Sequence, residues 1–199
     1  MAKLLNWIMV EQRIRKSGLV LFSPLDLKRI LKTSEVSVRF LLTRYTKKGA
    51  VIKLRRGLYS LSNILPSDFE VANALYKPSY ISLTYALSYY HIIPETTYTI
   101  TSVTTRRTYE FEVLGKRFSY HQLKKEAFTG YLPEKIEGKI VLIADQEKAF
   151  VDYLYLVERK VLPINERINL SHLNKKKVVK YVDLFQRKSL NRLIKDFYD

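Results

Sequence analysis

Between positions 24 and 61 the spacing of apolar residues changes twice, and each change marks an element. Ser23 followed by Pro24 is a helix-start pair, and the segment 24–32 places Leu27, Ile30 and Leu31 on one side. Thr33 and Ser34 interrupt it and supply the next N-cap. Val38, Leu41, Leu42 and Tyr45 then fall at i, i+3, i+4 and i+7, a helical stripe that ends at Gly49. Beyond it, VIKLRR and LYSLS flank Gly57 as a β-hairpin with Arg55 and Arg56 beside its tip. Upstream, Leu4, Leu5, Ile8 and Met9 share a face of a helix predicted over 3–17, which closes at Gly18. LVLF (19–22) is short and β-prone.

The pattern downstream is more mixed. A helix is predicted at about 68–76, ahead of Pro78. SYISLTYALSYYHIIP reads as another, N-capped near Ser82 and stopped before Pro94. TYTITSVTT (97–105) and TYEFEVLGKRFSYHQL alternate like strands, with Gly115 as a turn. KIVLIA (139–144) is an apolar strand, and DQEKAFVDYLYLVE (145–158) is an amphipathic helix capped by Asp145. Residues 171–198 form a basic helical tail with Val178, Val182, Phe185, Leu190, Leu193, Ile194 and Phe197 on its apolar side.

Two helices joined by a tight turn and followed by a two-stranded ribbon are the order of a winged helix-turn-helix. The expected class is α+β: a winged helix-turn-helix over 1–65, then a mixed α+β domain with a helical tail over 66–199. The stretch NILPSD (63–68) is the expected boundary.

Charge sharpens this division. Residues 1–65 hold 14 basic and 3 acidic residues, net +11; residues 66–159 hold 11 and 12, net −1; residues 160–199 hold 10 and 4, net +6, within a total of +16. A basic head and tail around a neutral middle point to a polyanionic partner. With the apolar stripe turned inward, Ser37, Arg39, Thr43, Arg44 and Lys47 are the DNA-facing candidates on the second helix, and Lys53, Arg55 and Arg56 on the wing. Arginine reads guanine edges, and the others hold phosphates or base edges. A solvated basic face on a protein-docking module would show the same residues.

Several chemistries lack a foothold. There is no cysteine, which excludes disulfides, thiol nucleophiles and cysteine-ligated metals and fits a cytoplasmic protein. No 18-residue apolar run exists, so no membrane-spanning helix is predicted. The N-terminal segment lacks a small-residue cleavage site and is not expected to be a signal peptide. His91, His121 and His172 are widely separated and show no metal-binding spacing, and neither a P-loop, a GxGxxG nor a GxSxG motif occurs. No cofactor and no metal are expected. The strongest enzyme candidate is Asp145, Glu147, Lys148 and Asp152, because nucleases set carboxylates and a lysine near strand ends around Mg²⁺. Helix capping and the helix dipole explain the same residues. Most of the 15 tyrosines are expected in the core or an interface. Arg106 and Arg107 mark a loop tip, and Lys175–Lys177 a basic helix start.

Four segments in order resemble the AbiEi family of antitoxins and transcriptional regulators: the helix-turn-helix region closing on LRRGLYSL, then PSYISLTYALSYYHIIPE, TSVTTRRTYEFEVLGKRFSYHQL and IADQEKAFVDYLYL, together spanning about 24–156. The resemblance implies a non-enzymatic repressor that binds inverted repeats in its own promoter, with two copies expected on DNA. It also implies the antitoxin of a type IV toxin–antitoxin, abortive-infection system, whose C-terminal domain counteracts a nucleotidyltransferase-type toxin, AbiEii, without needing to bind it. Gln146 stands where the family usually has a proline. Two other readings stay open on the residues: a winged helix that targets a nuclease-like enzyme, and a protein-binding adaptor.

Overall fold

A computed structural model describes residues 6–198. The chain is a mixed α+β protein that divides into two units between Leu75 and Tyr76. Leu4, Leu5 and the expected helix start at residue 3 lie outside the described residues.

The first unit runs α1 (Trp7–Lys16), β1 (Leu21–Phe22), α2 (Pro24–Leu31), α3 (Glu35–Lys47), β2 (Val51–Arg55), β3 (Leu58–Leu61) and α4 (Asp68–Leu75). The side chain of Ser23 caps α2 by accepting from the Asp26 amide, and Asp26 returns the bond to the Ser23 amide at 2.8 Å. This is a capping box, which satisfies two helix-end donors at once. Lys32, left-handed at φ 50°, ends α2, and Ser34 caps α3 through the Ser37 amide. The stripe Val38, Leu41, Leu42 and Tyr45 is buried as expected, against Val10, Ile14, Leu27 and Leu31. α1 turns a different side inward than its apolar spacing suggested: Ile8 and Met9 are exposed, while Val10 and Ile14 are fully buried and Trp7 stacks on Tyr45 at 4.2 Å. The sheet is antiparallel in the order β1-β3-β2. Gly57, at φ +82°, takes the left-handed turn that lets β2 reverse into β3.

The second unit is built on a six-stranded mixed sheet in the order β6-β7-β5-β4-β9-β8. Its strands are β4 (Ser79–Ile81), β5 (Ile100–Thr104), β6 (Tyr109–Val113), β7 (Lys116–Gln122), β8 (Tyr131–Ile136) and β9 (Lys139–Ala144). The pairs β4–β9 and β5–β7 are parallel and the rest antiparallel. Helices α5 (Leu83–Tyr89), α6 (Gln146–Glu158), α7 (Lys175–Asp183) and α8 (Lys188–Asp196) complete it. α6 is buried along all of Glu147–Leu156 rather than on one face, because α5, α7 and α8 pack on it as well as β9. Tyr80, expected in a helix, lies in β4 and is fully buried. The tail is two helices, broken between residues 183 and 188 with Gln186 at φ 49°. No helix among the described residues is long and apolar enough to cross a membrane.

Candidate nucleic-acid interface

α3 presents opposite faces to the core and to solvent. Arg39, Thr43, Arg44 and Lys47 are all exposed on it. Arg39 approaches Glu35 at 3.9 Å, with both side chains more than 70% exposed (77% and 72%), so solvent screens the pair and Arg39 remains available. Ser37 differs from these four. It is half-buried and engaged at the helix start, its amide on the Ser34 hydroxyl at 3.2 Å and its own hydroxyl 2.9 Å from that same oxygen.

The hairpin tip divides its basic residues in a similar way. Lys53 and Arg56 are exposed. Arg55 is half-buried, and its guanidinium turns back to the Arg56 carbonyl at 2.7 Å and the Ala74 carbonyl at 3.4 Å. The Ala74 carbonyl lies at the C-terminal end of α4, where a cation complements the helix dipole. Arg55 thereby ties the hairpin to α4, while Lys53 and Arg56 extend outward.

Sequence reasoning passed over two exposed apolar residues on the same solvent face, Val36 and Phe40. Lys28, Arg29 and Lys32 of the α2 region are exposed too and add to the positive field of this unit.

The acidic candidates of the second unit form a closed network. Lys148 and Asp152 are fully buried. The Lys148 ammonium contacts one Asp152 oxygen, and the Tyr80 and Ser82 hydroxyls donate to the other at 3.0 and 2.9 Å. Burial pushes the Asp152 carboxyl up and the Lys148 ammonium down, while their mutual contact opposes both shifts. Asp145 caps α6 through the Lys148 amide at 2.8 Å and accepts from Tyr181 at 2.6 Å. Lys177 bridges Asp145 and Glu147 at 3.1 and 3.0 Å, and Glu147 also accepts the Asn174 amide at 3.1 Å. All four acidic and basic groups are taken up by partners from α7 and its cap Asn174, from Tyr80 and Ser82, or from α6 itself. Capping and internal pairing account for each residue type here.

His91 follows α5, His121 lies in β7 and His172 precedes α7. Among the described residues no group of three or more His, Cys, Asp or Glu is placed to hold a metal. Arg106 and Arg107 are exposed in the loop after β5, with the Arg106 guanidinium over the Tyr76 ring at 4.4 Å. No protein-family model and no curated protein matches the chain.

Proposed function

We infer that the first unit is a winged helix-turn-helix and that it binds duplex DNA, with α3 as the recognition helix and the β2–β3 hairpin as the wing. The observation that carries this is the solvent face of α3. Arg39, Thr43, Arg44 and Lys47 stand clear of the core on a helix whose opposite stripe is fully packed, next to a hairpin that exposes Lys53 and Arg56. In this geometry the early turns of a recognition helix meet base edges in the major groove, and basic residues further along hold phosphates. Arg39 and Thr43 contact bases; Arg44, Lys47, Lys53 and Arg56 contact the backbone. Ser37 and Arg55 support the surface, one by fixing the start of α3 and the other by bracing the wing.

The resemblance of the four segments, in their order, to the AbiEi family extends the reading. The protein represses its own operon by covering promoter repeats, and acts as the antitoxin of a type IV system against a nucleotidyltransferase-type toxin. The burial of Lys148 and Asp152 and the full occupation of Asp145 and Glu147 favour a scaffold role over catalysis for that cluster. A reporter driven by the protein's own upstream DNA tests the repressor half. Wild-type protein is expected to silence it and the Arg44→Ala/Lys47→Ala variant to release it. Co-expression with a nucleotidyltransferase encoded beside the gene tests the antitoxin half, with rescue of growth as the expected result.

A further inference from the structure

Resting on the DNA-binding reading, we propose that Val36 and Phe40 are specificity residues that read thymine 5-methyl groups in the major groove. Both side chains are largely in solvent, at 54% and 69% exposure. An α-helix turns about 100° per residue. With Val38, Leu41, Leu42 and Tyr45 pointing to the core, the positions directly opposite are Val36, Phe40, Thr43 and Lys47. The two apolar residues therefore sit on the crest of α3, one turn apart and close enough for their side chains to act as one surface. They hold up no part of the core, so packing does not explain them.

The chemistry around the pair selects its occupant. Arg39 and Arg44 flank the crest and Lys47 follows it, all exposed. The carboxylate on this face, Glu35, lies in the first turn beside Arg39. An apolar peptide would need a contiguous apolar patch much larger than two side chains, and Val36 and Phe40 are the only large apolar residues exposed on α3. A cationic rim about an apolar ridge matches the major groove, where phosphates form the two walls and the thymine methyl is the apolar group on the floor. Val36 and Phe40 fall in the first two turns of α3, where a recognition helix meets bases, and Lys47 falls in its last turn, near the backbone. The half-site should accordingly contain one or two A·T pairs whose thymines face α3.

The test begins with full-length wild-type protein and random-sequence 20-bp duplexes, from which the preferred sequence is selected. Each thymine of that duplex is then replaced in turn by deoxyuridine, which removes only the methyl group. Wild-type binding should weaken about four-fold per methyl read, the worth of one buried methylene-sized group, at one or two positions per half-site. Phe40→Ala should bind more weakly and lose that sensitivity at one position, and Val36→Ala at a neighbouring one. Neither variant should change the melting temperature or the salt dependence, since both side chains are exposed and uncharged. A selected duplex whose affinity ignores every deoxyuridine would overturn the methyl readout while leaving DNA binding intact. Failure to bind or enrich any duplex would remove the DNA-binding reading and this inference with it.

Discussion

Lys148 and Asp152 show how much one buried pair can bear. Both are out of solvent, and each Asp152 oxygen is used. Removing one partner strands the other's charge in the interior, which costs about 3–5 kcal/mol, whereas replacing both by apolar groups of similar size costs far less. Lys148→Met and Asp152→Leu should each lower the urea midpoint strongly, and the double variant should recover much of the loss. Near-additive losses would contradict the paired arrangement. The sequence alone shows these residues one turn apart on a helix behind an apolar strand. It does not show that Tyr80 and Ser82, some 70 positions away, complete the site, because sheet register is a long-range property that local spacing does not encode. The crest of α3 is the reverse case. Once the stripe 38, 41, 42 and 45 is assigned inward, Val36 and Phe40 must point outward, so their exposure is legible in the spacing alone.

Among elements, the tail helices are tied to α6 by carboxylates at both ends. Burial works to raise Glu147, but the bonds from Lys177 and the Asn174 amide outweigh it and hold the carboxyl below its ordinary value of 4.5. Glu158 is held down in the same way against burial, by Arg187 and Ser189. A depressed carboxylate contributes stability that is fully present above its unfolded value and lost as pH falls through the folded one. α7 and α8 should therefore loosen as pH drops below about 4.5, which hydrogen exchange would register as faster amide exchange there than in β4, β5 and β9. Equal protection of tail and sheet down to the global acid transition would contradict this. Gly130 offers a second test. It sits at φ +75°, and an added Cβ would lie 2.8 Å from the Tyr181 ring. Gly130→Ala should displace Tyr181 from Asp145 and destabilise the protein by at least about 1 kcal/mol. β8 escaped the sequence reading because Pro133 breaks its pattern. As an edge strand paired only with β9 it tolerates a residue that donates no hydrogen bond. The short strand β4 is hidden in an apolar run whose period fits helix and strand alike, and the tail is helical as expected but parted into two helices at Gln186, where no glycine or proline marks the turn. In the first unit α2, α3 and the hairpin, in contrast, carry caps, a stripe and a turn glycine that agree with one another and are legible for that reason, whereas α1 is legible as a helix but not in the face it buries.

For the protein as a whole, the charge of the first 65 residues is the dominant physical fact, with 14 basic against 3 acidic residues. Five of those basic groups, Arg39, Arg44, Lys47, Lys53 and Arg56, are exposed on α3 and the hairpin. If the four assigned to the backbone, Arg44, Lys47, Lys53 and Arg56, each neutralise one phosphate, log affinity should fall with log salt at a slope of about −3 to −4 per bound copy. Arg44→Ala/Lys47→Ala should flatten that slope by about 2, whereas Phe40→Ala should leave it unchanged. The most direct test is binding to the DNA upstream of the protein's own gene against a scrambled duplex of equal length, across a salt series, for wild type and Arg39→Ala/Arg56→Ala. The account predicts tighter binding to the upstream duplex, a steep salt slope, and loss of the preference in the variant. Equal affinity for both duplexes, or a preference that survives the variant, would contradict it.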